Sequence, residues 1–194
     1  MIARTRRTAE EAAIDAQLKK EREEQDLYAF LPAYERATGL TLSVEEITEA
    51  PDFIMRRSDG LIIGVELTMI REQGPPDTAL FREISTGTRM RDVDDAIADM
   101  WSMIEQKSNK VRRYKTERSI LVLQNIEAAF NQMTARALEI PSADFFGLGF
   151  NEIWLADFTE LRAGRHQEIE LLGLYPLEYR RLFSRSDHDQ KPYR

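Results

Sequence analysis

Hydrophobic and polar positions along the chain alternate between the period of a helix and the period of a strand. Residues 9–37 have helical spacing in a highly charged sequence, with Pro32 as a point of interruption and Gly39 as the expected end. Short apolar runs predict a first strand at 40–47 and two more within 53–65. Further helices are predicted at 92–115 and 131–140, and further strands at 119–124, 152–158 and 168–174. This order predicts an α/β protein with a helical N-terminal extension.

The most informative stretch is residues 51–68, which predict a β-hairpin with one acidic residue at the far end of each arm. The Asp-Gly pair at 59–60 is a strong short-range signal for the turn. A three-residue loop at 58–60 places Asp52 directly opposite Glu66, with both side chains on one face of the sheet. A two-residue loop instead places the two carboxylates on opposite faces.

Two opposed carboxylates on otherwise apolar strands suggest a metal site. Like charges that face each other across a strand pair repel, so this arrangement usually needs a cation. Hard oxygen ligands favour Mg²⁺ or Mn²⁺. The alternative interpretation is an exposed strand end at which Asp52 and Glu66 are both solvated. An aspartate and a glutamate at this spacing are common, so the pair taken alone favours the solvated strand end.

The helix predicted at 92–115 carries a lysine within its apolar face. At about 100° per residue, Lys107 falls inside the apolar stripe and Lys110 at its edge. The stripe consists of Ile97, Met100, Trp101, Ile104, Val111 and Tyr114. Burying an ammonium without a partner is costly. The Lys107 side chain is therefore expected either to extend to water or to meet a buried anion, which the Asp52/Glu66 pair could supply.

These features together resemble the PD-(D/E)XK nuclease superfamily. Pro51-Asp52 matches its first motif, and 66–68, Glu-Leu-Thr, stands where the family has an acid, any residue and a lysine. The resemblance covers roughly residues 20–130 and implies a restriction-endonuclease-like α-β-β-β-α-β core, a central mixed sheet flanked by helices. Thr68 departs from the motif because it carries no charge. In some branches the lysine has migrated to the following helix, where Lys107 is the candidate.

The resemblance implies a metal-dependent nuclease that hydrolyses phosphodiester bonds, with DNA as the expected substrate. Asp52, Glu66 and the Leu67 carbonyl would hold Mg²⁺ or Mn²⁺, which polarises the phosphate and activates a water. Lys107, with Lys110 as second candidate, would stabilise the developing negative charge. The alternative is a catalytically inactive module of the same fold that binds nucleic acid or a protein partner, which Thr68 keeps open.

Members of the superfamily often add an acidic residue from the first helix. Glu24 fits this role best, because Leu27, Leu31 and Tyr34 continue its face at helical spacing. The stretch 19–24 is dense in charge, which is typical of a solvated helical face. The solvated face is the stronger of the two interpretations of Glu24.

Charge is distributed unevenly along the chain. The net charge of −7 argues mildly against a general nucleic-acid coat. From 107 to 118, however, six cations face one acid, Glu117. Beyond Lys107, the candidate nucleic-acid-binding residues are Lys110, Arg112, Arg113, Lys115 and Arg118. The alternative is a basic helix C-terminus that complements the helix dipole, although a dipole needs one or two cations rather than six.

The composition of the chain bears on its domain organisation and on its location in the cell. With 42% hydrophobic residues the chain can bury a sizeable core, and we expect one domain over 1–186 and a disordered tail at 187–194. A Gly- and Pro-containing stretch at 71–91 predicts a loop, either bordering a substrate cleft or simply connecting elements.

The absence of cysteine and of a membrane-length apolar run favours the cytoplasm, and the two histidines lack ligand spacing. Many nucleases dimerise, which leaves a homodimer open, although no interface signature is present.

Overall fold

The computed structural model describes residues 9–70, 91–165 and 167–185. The loop predicted at 71–91 lies outside these residues except for Arg91, and so does the predicted tail at 187–194. In the described residues the chain forms four α-helices and seven strands. The helices are α1 (Ala9–Thr38), α2 (Val93–Val111), α3 (Phe130–Glu139) and α4 (Thr159–Arg162). The strands are β1 (Leu42–Ile47), β2 (Phe53–Arg57), β3 (Ile62–Met69), β4 (Arg118–Asn125), β5 (Glu152–Asp157), β6 (Leu171–Tyr175) and β7 (Leu182–Phe183).

The seven strands form one mixed sheet in which chain order and spatial order coincide. The three central strands, β3, β4 and β5, run parallel, and the strands on either side of them are antiparallel. Parallel neighbours require a crossover, and α2 and α3 lie in the two connections between the central strands. The predicted α/β fold with a central mixed sheet flanked by helices and an N-terminal helix is confirmed.

Two apolar layers cover the two faces of the sheet. Ile120 and Val122 of β4 belong to the layer that contains α1, whereas Leu121 and Leu123 belong to the layer that contains α2 and α3. Successive side chains of a strand point to opposite faces, so a strand covered on both sides is apolar throughout. The near-continuous apolar run of β4 thus has the two-sided burial that its sequence predicts.

Several element boundaries differ from the sequence prediction. Helix α1 continues through Pro32 instead of breaking there, because the fully buried Phe30 and Tyr34 on either side fix it against the sheet. Gly39, at φ +73°, ends the helix as expected. Strand β7 was not predicted at all, since it has only two residues and forms where Phe183 packs beside the Trp154 ring.

Candidate functional site

The hairpin of β2 and β3 has the three-residue loop that places its two acids on one face. The Arg57 N–H donates to the Leu61 carbonyl at 3.0 Å, which closes the base of a loop formed by residues 58–60. Farther along the hairpin, Phe53 pairs with Val65. Gly60, at φ +92°, supplies the left-handed backbone that the turn requires. Extending the register one residue outward brings Asp52 opposite Glu66. The predicted loop length and shared face are confirmed, and the alternative of opposite faces is excluded.

Pro51 interrupts the strand ladder next to this pair. The Pro51 ring does not extend β2 opposite Leu67 but lies over Gly64, with its Cγ 2.9 Å from the position that a Cβ on Gly64 would take. The Leu67 N–H instead donates to Oδ2 of Asp52 at 2.8 Å. The N–H and C=O of one strand residue point toward the same neighbouring strand, so the Leu67 carbonyl faces the side of Asp52. The paired part of β2 and β3 therefore ends beside the Asp52 carboxylate, and Leu67 lies beyond its last pair.

Glu66 is buried, with 4% of its surface exposed, and both of its carboxylate oxygens have partners. The Tyr114 hydroxyl donates to Oε2 at 2.7 Å. The Lys107 ammonium, from α2, forms an ion pair with Oε1. Lys107 is only 20% exposed at its side chain, so it meets a buried anion, which was one of the two outcomes that its position in the apolar stripe allowed. Sequence analysis placed Tyr114 on this stripe but missed its hydrogen bond.

The two carboxyl groups influence each other electrostatically. Burial and, next, the charge of Glu66 raise the pKa of Asp52 to about 7, against the opposing effects of the Leu67 N–H and Lys107. Burial and the hydrogen bond to Glu66 also raise the pKa of Tyr114, which keeps its hydroxyl protonated as a donor. Such a coupled acid pair is what a bound cation stabilises, because the cation favours the ionised form of both groups.

Helix α1 places Glu23 near enough to Asp52 for its charge to act on that carboxyl group. The charge of Glu23 contributes to the raised pKa of Asp52, and its carboxylate lies 3.1 Å from the ammonium of Lys19. Glu24 is half-buried, and no contact with Asp52 or Glu66 is described for it. Phe30, which is fully buried, lies seven residues after Glu23, so the helical period places both residues on the same face of α1. This spacing is the feature of the sequence that points to Glu23.

The candidate nucleic-acid-binding cations are exposed and lie around the C-terminal end of α2 and the start of β4. This set is Lys110, Arg112, Arg113, Lys115 and Arg118, called the basic cluster below. Lys110 does not reach Glu66. Glu117, the acid within the cluster, accepts the backbone N–H of Ile62 at 2.6 Å. Among the described residues, no carboxylate forms an ion pair with a member of the cluster. Within the described ranges its positive charge is therefore not offset by an ion pair.

The residues at the hairpin fit a hard divalent cation. Within the described ranges, no group of three or more acidic or histidine side chains is close enough to bind a metal ion. Two carboxylates and the Leu67 carbonyl provide three oxygen ligands, and Mg²⁺ commonly completes such a set with water. No partner is described for the Asp52 oxygen that does not bond to Leu67, whereas Glu66 Oε1 is held by Lys107.

Thr68 follows Glu66 on the same face of β3 and is buried. It cannot supply the positive charge that the family motif has at this position.

None of the helices in the described part of the chain is both long and apolar enough to cross a membrane. No family model, curated protein or solved structure matches the chain.

Proposed function

We propose that the protein is a metal-dependent nuclease that hydrolyses phosphodiester bonds, with DNA as its substrate. On this proposal it is a variant of the PD-(D/E)XK superfamily whose lysine has moved to α2. One observation carries the proposal: the Lys107 ammonium reaches the Glu66 carboxylate at the hairpin where Asp52 is held. A lysine from the neighbouring helix thus supplies the charge that Thr68 lacks.

Each residue at the hairpin has a role in this proposal. Asp52, Glu66 and the Leu67 carbonyl hold Mg²⁺ or Mn²⁺, which when bound polarises the scissile phosphate and lowers the pKa of a water. Lys107 stabilises negative charge that develops on the phosphate oxygens. The Tyr114 hydroxyl fixes the orientation of the Glu66 carboxylate through its bond to Oε2.

The basic cluster supports a nucleic-acid substrate. It begins at Lys110, one helical turn from Lys107, and its charge is not neutralised by the described carboxylates. Cations held next to a metal site neutralise backbone phosphates and position the strand for cleavage. Because the whole chain carries a net charge of −7, this binding would be confined to one region of the surface.

The test is cleavage of single-stranded and duplex DNA and of RNA, with Mg²⁺ or Mn²⁺. We expect metal-dependent cleavage by the wild type and losses of more than about 100-fold in Asp52→Asn, Glu66→Gln and Lys107→Ala. Glu105→Gln, an exposed acid on α2, is the matched control and should cleave like the wild type. Cleavage that persists in Asp52→Asn and Glu66→Gln would contradict the proposal.

A second candidate function is a catalytically inactive module that binds nucleic acid or a protein partner. The observation that favours it is the closed state of Glu66, whose two oxygens are satisfied by Lys107 and Tyr114 without a metal ion. Calorimetric titration of Mn²⁺ into the wild type and into Glu66→Ala separates the candidates. Saturable binding that Glu66→Ala loses supports the nuclease, whereas DNA binding without metal binding or cleavage supports the inactive module.

A further inference from the structure

The Glu66 oxygen that the proposed metal ion requires is already occupied by the Lys107 ammonium. We propose that Lys107 and the metal ion are alternative partners of Glu66 Oε1, so that Lys107 closes the site until a metal ion displaces it. This inference rests on the proposed function, because it concerns the same metal site. It adds a resting state in which Lys107 is a lock and a loaded state in which it is free to face the substrate phosphate.

The unequal partners of the two Glu66 oxygens indicate which of them opens. The Tyr114 hydroxyl is an uncharged donor, so its bond to Oε2 is compatible with a cation on the other oxygen. The ammonium on Oε1 carries the same sign of charge as the metal ion and repels it at close range. Exchange is therefore expected at Oε1, while Tyr114 keeps the carboxylate in place.

The surroundings of Lys107 allow its side chain to move without the helix. Met100, Ile104 and Val111 of α2 are buried in the apolar layer and fix the helix against the sheet. The Lys107 side chain nevertheless remains 20% exposed, so its ammonium has a path to water along the flexible stem. Displacement thus requires only a change of side-chain rotamer, and the released charge remains near the site.

The affinity of Mn²⁺ without substrate tests the lock, by calorimetric titration of wild type, Lys107→Met and Lys110→Met. Lys107→Met should bind Mn²⁺ at least about tenfold more tightly than the wild type, because no ion pair must be broken. Lys110→Met removes one positive charge from the same helix without touching Glu66, so it measures the general effect of charge. We expect it to change the affinity by less than about twofold.

A second measurement follows the lysine directly by NMR of its ammonium group, assigned from the signal that Lys107→Met loses. On adding Mg²⁺, the Lys107 signal should move to the position it has in Glu66→Gln. Equal Mn²⁺ affinities in wild type and Lys107→Met, with an unchanged lysine signal, would overturn the lock and leave the metal site standing. If neither protein binds Mn²⁺, both the lock and the proposed metal site fail. Binding by Lys107→Met alone supports the lock in its strongest form.

Discussion

Two buried glutamates, Glu66 and Glu152, lie in the same sheet and face its opposite layers. Each is paired with a cation and accepts a hydrogen bond from a tyrosine hydroxyl. The Glu152 carboxylate accepts hydrogen bonds from the Arg57 guanidinium at 2.8 Å, the Tyr34 hydroxyl at 3.2 Å and the Trp154 indole N–H at 3.1 Å. Its cation is fixed in turn, because the Arg57 guanidinium also donates to Asp59, at 2.7 to 3.1 Å. The Glu152 carboxylate and the Arg57 guanidinium are therefore each fixed by several hydrogen bonds.

Glu66 has fewer partners, and they are easier to exchange. Its cation is a lysine on a flexible stem, and a second carboxyl group, Asp52, faces it across the hairpin. Arginine presents a rigid planar fork and does not lose its charge, whereas lysine is a mobile point charge. The comparison shows that burial and an ion pair do not mark a functional site by themselves. What separates Glu66 from Glu152 is a lysine in place of an arginine and a neighbouring carboxyl group, Asp52, whose pKa is raised in part by the charge of Glu66.

The largest effect on stability is expected when the ion pair between Arg57 and Glu152 is broken. Arg57→Met leaves Glu152 buried without its counter-ion, which should lower the free energy of unfolding by about 3–5 kcal/mol. The matched control is Arg56→Met on the same strand, whose ion pair with Glu45 is exposed and worth at most about 1 kcal/mol. Chemical denaturation measures both. Equal losses in the two variants would remove the distinction between fixed and exposed pairs.

Exchanging each glutamate for glutamine should separate function from stability. Glu66→Gln is expected to lose more than about 100-fold in DNA cleavage but about 1 kcal/mol or less in stability, because Lys107 can extend to water. Glu152→Gln should lose about 2 kcal/mol in stability, through weaker charge-assisted hydrogen bonds, while the folded protein cleaves normally. Cleavage assays and denaturation on both variants check this, and a loss of cleavage in Glu152→Gln would contradict the comparison.

The pH dependence of Asp52 tests the coupling across the hairpin. Its pKa of about 7 lies above the ordinary value, so the folded state binds this proton more tightly than the unfolded state. The stability from this group is therefore complete below pH 4, and it is lost as the pH rises through about 7. Glu66→Gln removes the neighbouring charge and should lower the pKa of Asp52 toward its ordinary value. Carboxyl NMR titration of the metal-free protein measures the shift, and an unchanged pKa would show that the charge of Glu66 does not contribute to it.

The hairpin was predictable because its determinants are local. The Asp-Gly turn and the strand period decide which face Asp52 and Glu66 share, and the helical period alone places Lys107 among apolar residues. The position of the Pro51 ring was not predicted, because it folds over Gly64 instead of continuing the pairing of β2 with β3.

What sequence reasoning missed depends on contacts between distant segments. Arg57 and Glu152 are 95 positions apart, and neither stands in a pattern that connects them. The choice between Glu23 and Glu24 is a rotation of about 100° on α1, and it follows from which apolar residues are fully buried. Leu27 and Tyr34 of the predicted face are fully buried, whereas Leu31 only packs beside the core and Phe30 is fully buried next to it.

The smallest expected effect distinguishes the two tyrosines, Tyr114 and Tyr34, which make the same kind of bond to the two glutamates. Tyr114→Phe and Tyr34→Phe should each cost about 0.5–1.5 kcal/mol in stability, because each removes one hydrogen bond to a carboxylate. Only Tyr114→Phe should also reduce cleavage, by about tenfold, since Glu66 then loses the donor that orients it. Turnover and stability of both variants decide the matter. If Tyr34→Phe reduces cleavage as much as Tyr114→Phe, the loss comes from stability, and Tyr114 has no orienting role.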